Sequence, residues 1–194
     1  MDVPGVHQTL ASNQIRNAAI DFCNRSKAYV VQLDDQTISD QTTVVGLPSK
    51  TDLVQILQAW WNGKKITNKT IIELNEWYAN WTTQSGTPMY FTRMAPSTIT
   101  LVPYPTTAGT LSIVAAIAPS PDATGLDKDI FNTYFQEIAH GAKWKLLSMQ
   151  KKPWSDPNLA VYHKELFDQG CAKAALDAKK SFGGGRIRTV SRFL

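Results

Sequence analysis

Hydrophobic residues recur every three to four positions in four stretches of the chain, and this spacing predicts four helices. The stretches cover residues of about 8–25, 70–82, 127–151 and 156–180. At the start of the second stretch, Thr70 is followed three residues later by Glu73. This capping-box pattern is typical of a helix N-terminus and supports a helix start at this position.

The two C-terminal helices are predicted to pack against each other as an antiparallel pair. Pro153 ends the third helix, while Asp156 and Pro157 supply the N-cap and the first position of the fourth. The connection is therefore short, and Gly141 and Gly170 would allow the two backbones to approach closely. The predicted core faces are Phe131, Phe135, Ile138, Ala142, Leu146 and Met149 on the third helix, and Leu159, Tyr162, Leu166, Gly170 and Ala174 on the fourth.

Two segments, of about residues 28–47 and 89–117, alternate β-branched and polar residues, and this pattern predicts strands. For the second segment we expect a small antiparallel meander, because proline and glycine divide it into three short runs. These runs are Met89–Arg93, Thr98–Val102 and Thr110–Ala116. Between the segments, residues 49–57 fit either a short helix or a strand, and Asn62 with Gly63 predicts a tight turn.

Together these elements predict an α+β fold that is mainly α. We expect a helical bundle with a long C-terminal antiparallel helix pair, and a small antiparallel β module inserted between helices. The length of 194 residues suits one domain, predicted over residues 1–180 and followed by an extended, flexible docking arm over residues 181–194. Gly183–Gly185 cannot continue a helix into the arm, because each glycine costs about 1 kcal/mol relative to alanine.

The net positive charge of the chain comes from its last residues. Residues 1–177 hold 15 of the 20 Lys and Arg residues and all 16 Asp and Glu residues, so their net charge is −1 while that of the whole chain is +4. Such a near-neutral body does not have the composition of a nucleic-acid-binding domain. The arm alternates arginines with apolar residues, which favours docking on another surface. The alternative is an inert, frayed terminus.

The sequence contains no constellation of catalytic or metal-binding residues, and we predict no enzymatic activity, no metal and no cofactor. His7, His140 and His163 are scattered and lack a second ligand at helical spacing. Cys23 and Cys171 fall within helical patterns and are expected to be buried free thiols. No signal peptide and no apolar run of membrane-spanning length is recognisable, so no membrane partner is expected.

The six tryptophans are numerous for a chain of this length. Trp60 and Trp61 stand before the predicted turn, where at least one ring must face solvent, and this favours a protein–protein contact. Trp77 and Trp81 have helical spacing and fit a core or an interface. The alternative function is a nucleic-acid-binding module that uses exposed tryptophans and the basic arm.

Five motifs follow one another along the chain. They are Ala18–Ser26 at the end of the first helix, Gly46–Pro48 after a polar β stretch, Gly86–Tyr90 after an acidic-aromatic helix, Ile99–Pro105, and Lys152–Pro157 between the last two helices. This order resembles that of the head-to-tail connector, or adaptor, proteins of tailed bacteriophages. The resemblance covers nearly the whole chain.

The resemblance implies a structural virion protein. Such adaptors form a ring, usually of twelve copies, between the portal protein of the head and the tail or nozzle proteins. Double-stranded DNA passes through the channel of the ring without sequence recognition. The implied location is the virion neck at the head–tail junction, after assembly in the host cytoplasm. Because the C-terminal arm of such adaptors inserts at the portal, the implied portal-binding residues are Phe182, Arg186, Ile187, Arg188, Val190, Arg192, Phe193 and Leu194. The β module of such adaptors faces the tail, so a tail protein or a neighbouring subunit is the implied partner of Trp60 and Trp61.

Overall fold

The structure, a computed structural model, describes residues 3–180 of the chain. The helices in this part of the chain are α1 (Gln8–Ser26), α2 (Ile71–Trp77), α3 (Lys128–Leu147) and α4 (Pro157–Lys179). The strands are β1 (Val30–Gln32), β2 (Gln36–Ile38), β3 (Thr42–Val44), β4 (Thr51–Trp61), β5 (Lys64–Asn68), β6 (Ser85–Gly86), β7 (Tyr90–Thr92), β8 (Thr98–Val102), β9 (Tyr104–Pro105) and β10 (Gly109–Pro119).

The prediction of a mainly helical bundle with a small β module is wrong, because the sheet is a major part of the fold. Helices account for 39% and strands for 27% of the described residues. Two strands of 11 residues each, β4 and β10, make most of the difference. β4 covers most of residues 49–57, the stretch whose sequence fitted either a short helix or a strand. The strand predicted over Thr110–Ala116 extends to Gly109–Pro119 in β10, whose second half is buried on both faces and therefore lacks the polar–apolar alternation of its first half.

The main sheet is mixed and curls into a half-barrel. Its strands follow the order β1-β10-β4-β5-β7-β8-β3, and β2 pairs with β10 off this path. The predicted antiparallel meander is only partly correct. β7 and β8 do pair as antiparallel neighbours, but β10 lies beside β1 and β4 instead of β8, and β7 pairs in parallel with β5.

The described residues belong to two compact units, one formed by residues 3–29 and 118–180 and the other by residues 30–117. We call the first the helical unit, because it contains α1, α3 and α4, and the second the sheet unit. The single domain over residues 1–180 stays a prediction. Large aliphatic and aromatic side chains from the strands fill the sheet unit, among them Ile56, Ile66, Phe91, Ile99, Leu101, Leu111 and Ile113.

In the helical unit, α1, α3 and α4 pack against one another in all three combinations. The predicted close approach is confirmed at Gly141, where an added Cβ would lie 2.7 Å from the Phe167 ring and 3.1 Å from the Ala18 Cβ. The predicted start of the fourth helix is also confirmed. The Asp156 side chain accepts hydrogen bonds from the first amides of α4, and Pro157 is its first residue.

The predicted core faces of α3 and α4 need correction. Tyr134 interrupts α3 with non-helical dihedral angles (φ −125°, ψ 21°) and is itself buried. The helix changes direction there, so Phe131 and Phe135 stay half exposed, whereas Ile138, Ala142 and Leu146 are buried as predicted. On α4 the buried face is shifted by one residue from the prediction at all positions except Ala174, and consists of Ala160, His163, Phe167, Cys171 and Ala174.

Candidate interaction surfaces

The β4–β5 hairpin carries the two tryptophans that the sequence indicated as interface residues. Asn62 and Gly63 form its turn with positive φ angles of 48° and 76°, which confirms the predicted turn. Trp61 is buried beside Gly109, where an added Cβ would lie 2.7 Å from the ring atom Cε2. Trp60, the preceding residue, points to the opposite side of the strand and is half-buried. Their role at a tail or subunit interface stays a prediction.

The short helix α2 fixes a third tryptophan in an exposed position. The hydroxyl of Thr70 accepts from the Glu73 amide, and the Glu73 carboxylate accepts from the Thr70 amide at 2.8 Å, so the predicted capping box is confirmed. The Thr70 amide, the Lys69 ammonium and the Thr70 hydroxyl together lower the pKa of Glu73 to about 2. Lys69 also lies 5.6 Å from the centre of the Trp77 ring, which is 73% exposed. The predicted helix extends to residue 82, but α2 ends at Trp77.

The inner side of α2 packs against a buried cluster of the sheet unit. Leu74, Trp81 and Val102 form a buried cluster, against which Tyr78 and Tyr90 pack. The two tyrosine hydroxyls are hydrogen-bonded at 2.6 Å. Since this cluster takes up Leu74, the opposite side of the helix faces solvent. Ile72 is 70% exposed there, so α2 presents large apolar side chains that the sheet unit does not use for its own core.

The helical unit has an exposed aromatic pair of its own. The Phe131 and Phe135 rings lie 6.4 Å apart, and each side chain is 48% exposed. Phe131 also borders an apolar pocket of about 250 Å³, lined by Ile15 and Ala19 of α1, by Leu126, and by Ile138 of α3. Both phenylalanines fit the core face of an uninterrupted helix, but the interruption of α3 at Tyr134 leaves them at the surface.

Two histidines that are 23 positions apart in the sequence meet between α3 and α4. The Nδ1 atoms of His140 and His163 lie 2.8 Å apart, which is a hydrogen-bond distance. His163 is buried on the α4 face that packs against α3. The spacing within each helix gave no signal of this contact, because it depends on the register between two helices. The pair links the helices, and no further histidine, cysteine or carboxylate completes a metal site in residues 3–180.

The two cysteines are buried and free, as predicted. Burial, with a smaller contribution from Cys171, raises the pKa of the Cys23 thiol to about 12. Burial is also the main cause that raises the pKa of Cys171 to about 11. Because a thiolate is the nucleophilic form, both groups are inert near neutral pH. They contribute to helix packing.

The predicted portal-binding residues lie outside the described residues. They are Phe182, Arg186, Ile187, Arg188, Val190, Arg192, Phe193 and Leu194.

The candidate contact points on the described surface are the exposed apolar side chains of α2 and α3 and the half-buried Trp60. None of the helices within residues 3–180 combines the length and the hydropathy that a membrane crossing requires.

The sequence model of one protein family, the SU10 adaptor proteins, matches residues 4–189. The chain belongs to the SU10 adaptor protein family. The predicted resemblance to phage head-to-tail adaptors is thereby confirmed. No curated protein matches the chain.

Family membership makes this chain a phage adaptor protein, and it implies association with portal and tail components. It also implies a place at the neck of the virion and a structural role. For an adaptor, exposed apolar side chains on well-ordered elements are candidate contact points, because large apolar groups at a surface commonly mark protein–protein interfaces.

Proposed function

We propose that this adaptor forms a ring, of twelve copies, between the portal and the tail of a tailed phage. In this proposal the C-terminal arm docks on the portal, the ring offers a platform for tail or nozzle proteins, and the genome leaves through its channel. The observation that carries the proposal is the family match, which continues beyond the last described residue to residue 189 and so includes the first half of the arm.

The composition of the arm supports its proposed role. It contains three arginines and no acidic residue, and its apolar residues include Phe182, Ile187 and Val190. Arginine forms bidentate hydrogen bonds with carboxylates, and the apolar side chains can fill pockets of a partner. A segment that orders on binding loses conformational entropy, so a single arm binds weakly. A ring of linked copies offsets this loss, because each bound arm raises the effective concentration of the others.

The charge of the rest of the chain is compatible with passage of DNA. Residues 1–177 have a net charge of −1. Affinity for duplex DNA rises with the number of phosphate contacts from Lys and Arg, so a near-neutral body allows DNA to pass without being held. The exposed residues Phe131, Phe135, Ile72 and Trp77 supply apolar surface for neighbouring copies or for tail proteins.

Removal of the arm tests the proposed docking. We expect that deletion of residues 183–194 leaves the circular dichroism spectrum of the folded body unchanged but lowers co-purification with the cognate portal ring at least about tenfold, the effect of losing roughly 1.4 kcal/mol of binding free energy in total. A truncated chain that co-purifies with portal rings at full strength would contradict the role of the arm.

Two matched arm variants separate the contributions within the same experiment. One replaces Arg186 and Arg188 by glutamine, and the other replaces Ile187 and Val190 by serine. The arginine variant should lower binding mainly at low salt concentration, and its binding should depend less on salt than that of the wild type. The apolar variant should lower binding at every salt concentration. Negative-stain images of the bound complex count the copies, and a monomer attached singly to the portal would contradict the ring.

A further inference from the structure

We propose that, before assembly, the C-terminal arm of each free chain docks on its own helical unit, in the groove between α3 and α4. This α3–α4 groove has a volume of about 480 Å³ and is lined by Thr133, Tyr134 and Glu137 of α3 and by Gly170, Lys173 and Asp177 of α4. It is continued by a second depression of about 230 Å³ that reaches His140 and Leu166. The inference goes beyond the proposed function, and only the release of the arm at the portal rests on it.

The groove exists because of two local features of the sequence. At the groove, the backbone of Tyr134 departs from helical geometry and separates the first turns of α3 from the rest of the helix. Gly170 has no side chain, and an added Cβ there would lie 3.0 Å from the Cβ of Glu137. Without these two features the facing helices would fill the space with their own side chains.

The carboxylates of the groove have no cationic partner of their own. Within residues 3–180 neither Glu137 nor Asp177 forms an ion pair or a side-chain hydrogen bond. Burial, together with the negative charges of Asp177 and Glu137, raises the pKa of Tyr134. Lys173 and Lys180 also line the groove, but neither forms an ion pair with Glu137 or Asp177. The arm brings three arginines and no acid, and its guanidinium groups can form the bidentate ion pairs with Glu137 and Asp177 that the lysines do not form.

The position of the arm makes its own groove the first available site. Lys180, the last described residue, lines the groove itself. Phe182 follows two residues later, within about 7 Å of extended chain. Gly183–Gly185 then permit the chain to reverse its direction. Along α4, Asp177 and Leu166 are about 16 Å apart at 1.5 Å per residue, and residues 186–194 span about 30 Å when extended, so the arm is long enough.

Because the arm is attached to its own helical unit, the arm of the same chain is the expected occupant of the α3–α4 groove. A segment attached at the edge of its site has a high effective concentration there, whereas the arm of another copy must first be encountered in solution. A docked arm would hold Phe182 and the arginines against the helical unit until a portal surface competes for them. The arm would thus be kept from premature contacts, and the exchange would be driven by the larger contact area at the portal.

A paramagnetic label on the arm tests the inference with the full-length chain. Ser191→Cys supplies a reactive thiol for a nitroxide, while Cys23 and Cys171 are buried and do not compete. In a dilute ¹⁵N-enriched sample we expect broadening of the amide signals of Thr133, Glu137 and Lys173. A mixture of labelled, unenriched chains with unlabelled, enriched chains should show no broadening. The absence of broadening in the first sample, or its presence in the mixture, would overturn docking on the same chain.

Charge variants test the proposed contacts. Glu137→Lys with Asp177→Lys should lower the ratio of docked to free arm about fivefold or more, the effect expected for the loss of two exposed ion pairs. The matched control is Glu165→Lys, which changes an exposed carboxylate of the same helix outside the groove and should leave the ratio unchanged. The Arg186→Gln, Arg188→Gln double variant removes the same ion pairs from the side of the arm, so the sequence of the folded helices is unchanged. It should also lower the ratio of docked to free arm. Equal broadening in all these variants and the wild type would refute the inference.

Discussion

Both units bury large side chains, such as Phe22 and Phe167 in the helical unit, but small and polarisable residues make up more of the core of the helical unit. In the helical unit the buried face contains small and polarisable residues, among them Ala18, Gly141, His163 and the two cysteines. In the sheet unit it consists mainly of large aliphatic side chains such as Ile66, Leu101 and Leu111, with Phe91 and Trp61. Helices approach closely where side chains are small, whereas a curled sheet encloses a volume that only large side chains fill.

This difference predicts which changes each unit tolerates. Added atoms should disturb the helical unit wherever a glycine or alanine separates two helices, and removed atoms should disturb both units where one large side chain is fully enclosed. Because both units bury apolar surface, the difference between them lies in how much space their elements leave for side chains. The experiments below are ordered from the largest expected effect to the smallest.

The largest effects are expected from the deletion of an enclosed aromatic ring in each unit. Phe167→Ala in the helical unit and Phe91→Ala in the sheet unit should each lower the free energy of unfolding by about 3–5 kcal/mol, because a cavity replaces the ring. Urea unfolding followed by circular dichroism measures both. Phe135→Ala is the control, and we expect a change below about 1 kcal/mol, since its ring is half exposed.

The same pair of variants tests the predicted single domain over residues 1–180. If the chain unfolds as one domain, both substitutions lower the midpoint of one common transition. Two transitions, each shifted by only one of the substitutions, would show that the helical unit and the sheet unit unfold separately and would contradict the prediction.

Intermediate effects are expected from added methyl groups at enclosed glycines. Gly109→Ala should cost about 1–3 kcal/mol, because the new Cβ overlaps the Trp61 ring. Gly141→Ala meets the Phe167 ring at 2.7 Å, but alanine favours the helix by about 1 kcal/mol, so the net cost should be smaller.

Gly125→Ala is the matched control for the glycine variants, since no atom lies within 4 Å of its added Cβ. We expect its melting temperature to equal that of the wild type or to exceed it slightly. A Gly109→Ala protein as stable as the Gly125→Ala protein would contradict the close contact between Gly109 and Trp61.

The smallest effects are expected from pH, and their sign differs between the units. In the helical unit, folding raises the pKa of Cys23 and Cys171 from 9.0 to about 12 and about 11. Their contribution to stability is therefore complete below pH 9 and is lost as the pH rises towards these values. At pH 9.5 the loss should be below about 1 kcal/mol per thiol. In the sheet unit, the lowered pKa of Glu73 stabilises above pH 4.5 and is lost as the pH falls towards about 2.

Urea unfolding at pH 7.5 and pH 9.5 checks the alkaline effect. The wild type should lose stability over this interval, and the Cys23→Ala, Cys171→Ala double variant should lose less. An equal loss in both proteins would show that other groups cause the alkaline destabilisation. Ellman's reagent provides a second measurement, since thiols with raised pKa should react with it only after unfolding.

Features encoded by neighbouring residues were predictable from the sequence. The positions of α1 and α4, the capping box at Thr70 and the turn at Asn62 and Gly63 all follow from residues within a few positions of one another. The family was recognisable for a similar reason, because its motifs keep their order along the chain. Of the candidate surfaces, Trp60 was identified from its place beside a predictable turn.

Features that depend on distant partners were not predictable in this way. Most of β10 was predicted as a strand, but the sequence does not reveal that β1 and β4 are its neighbours or that its second half is covered on both faces. The exposure of Phe131 and Phe135 follows from a single residue, Tyr134, whose backbone leaves the helical region. A prediction that assumes an uninterrupted helix therefore puts both rings in the core.

The sequence alone thus determined where most helices start, which residues cap them, and to which family the chain belongs. Local hydrogen bonds and backbone preferences act over a few residues, so a linear pattern records them. Only the tertiary structure decided the order of the strands, the buried face of α4, the meeting of His140 with His163 and the groove that ends at Lys180. Each of these depends on which surfaces of distant segments come together, and packing between such segments leaves no fixed spacing in the chain.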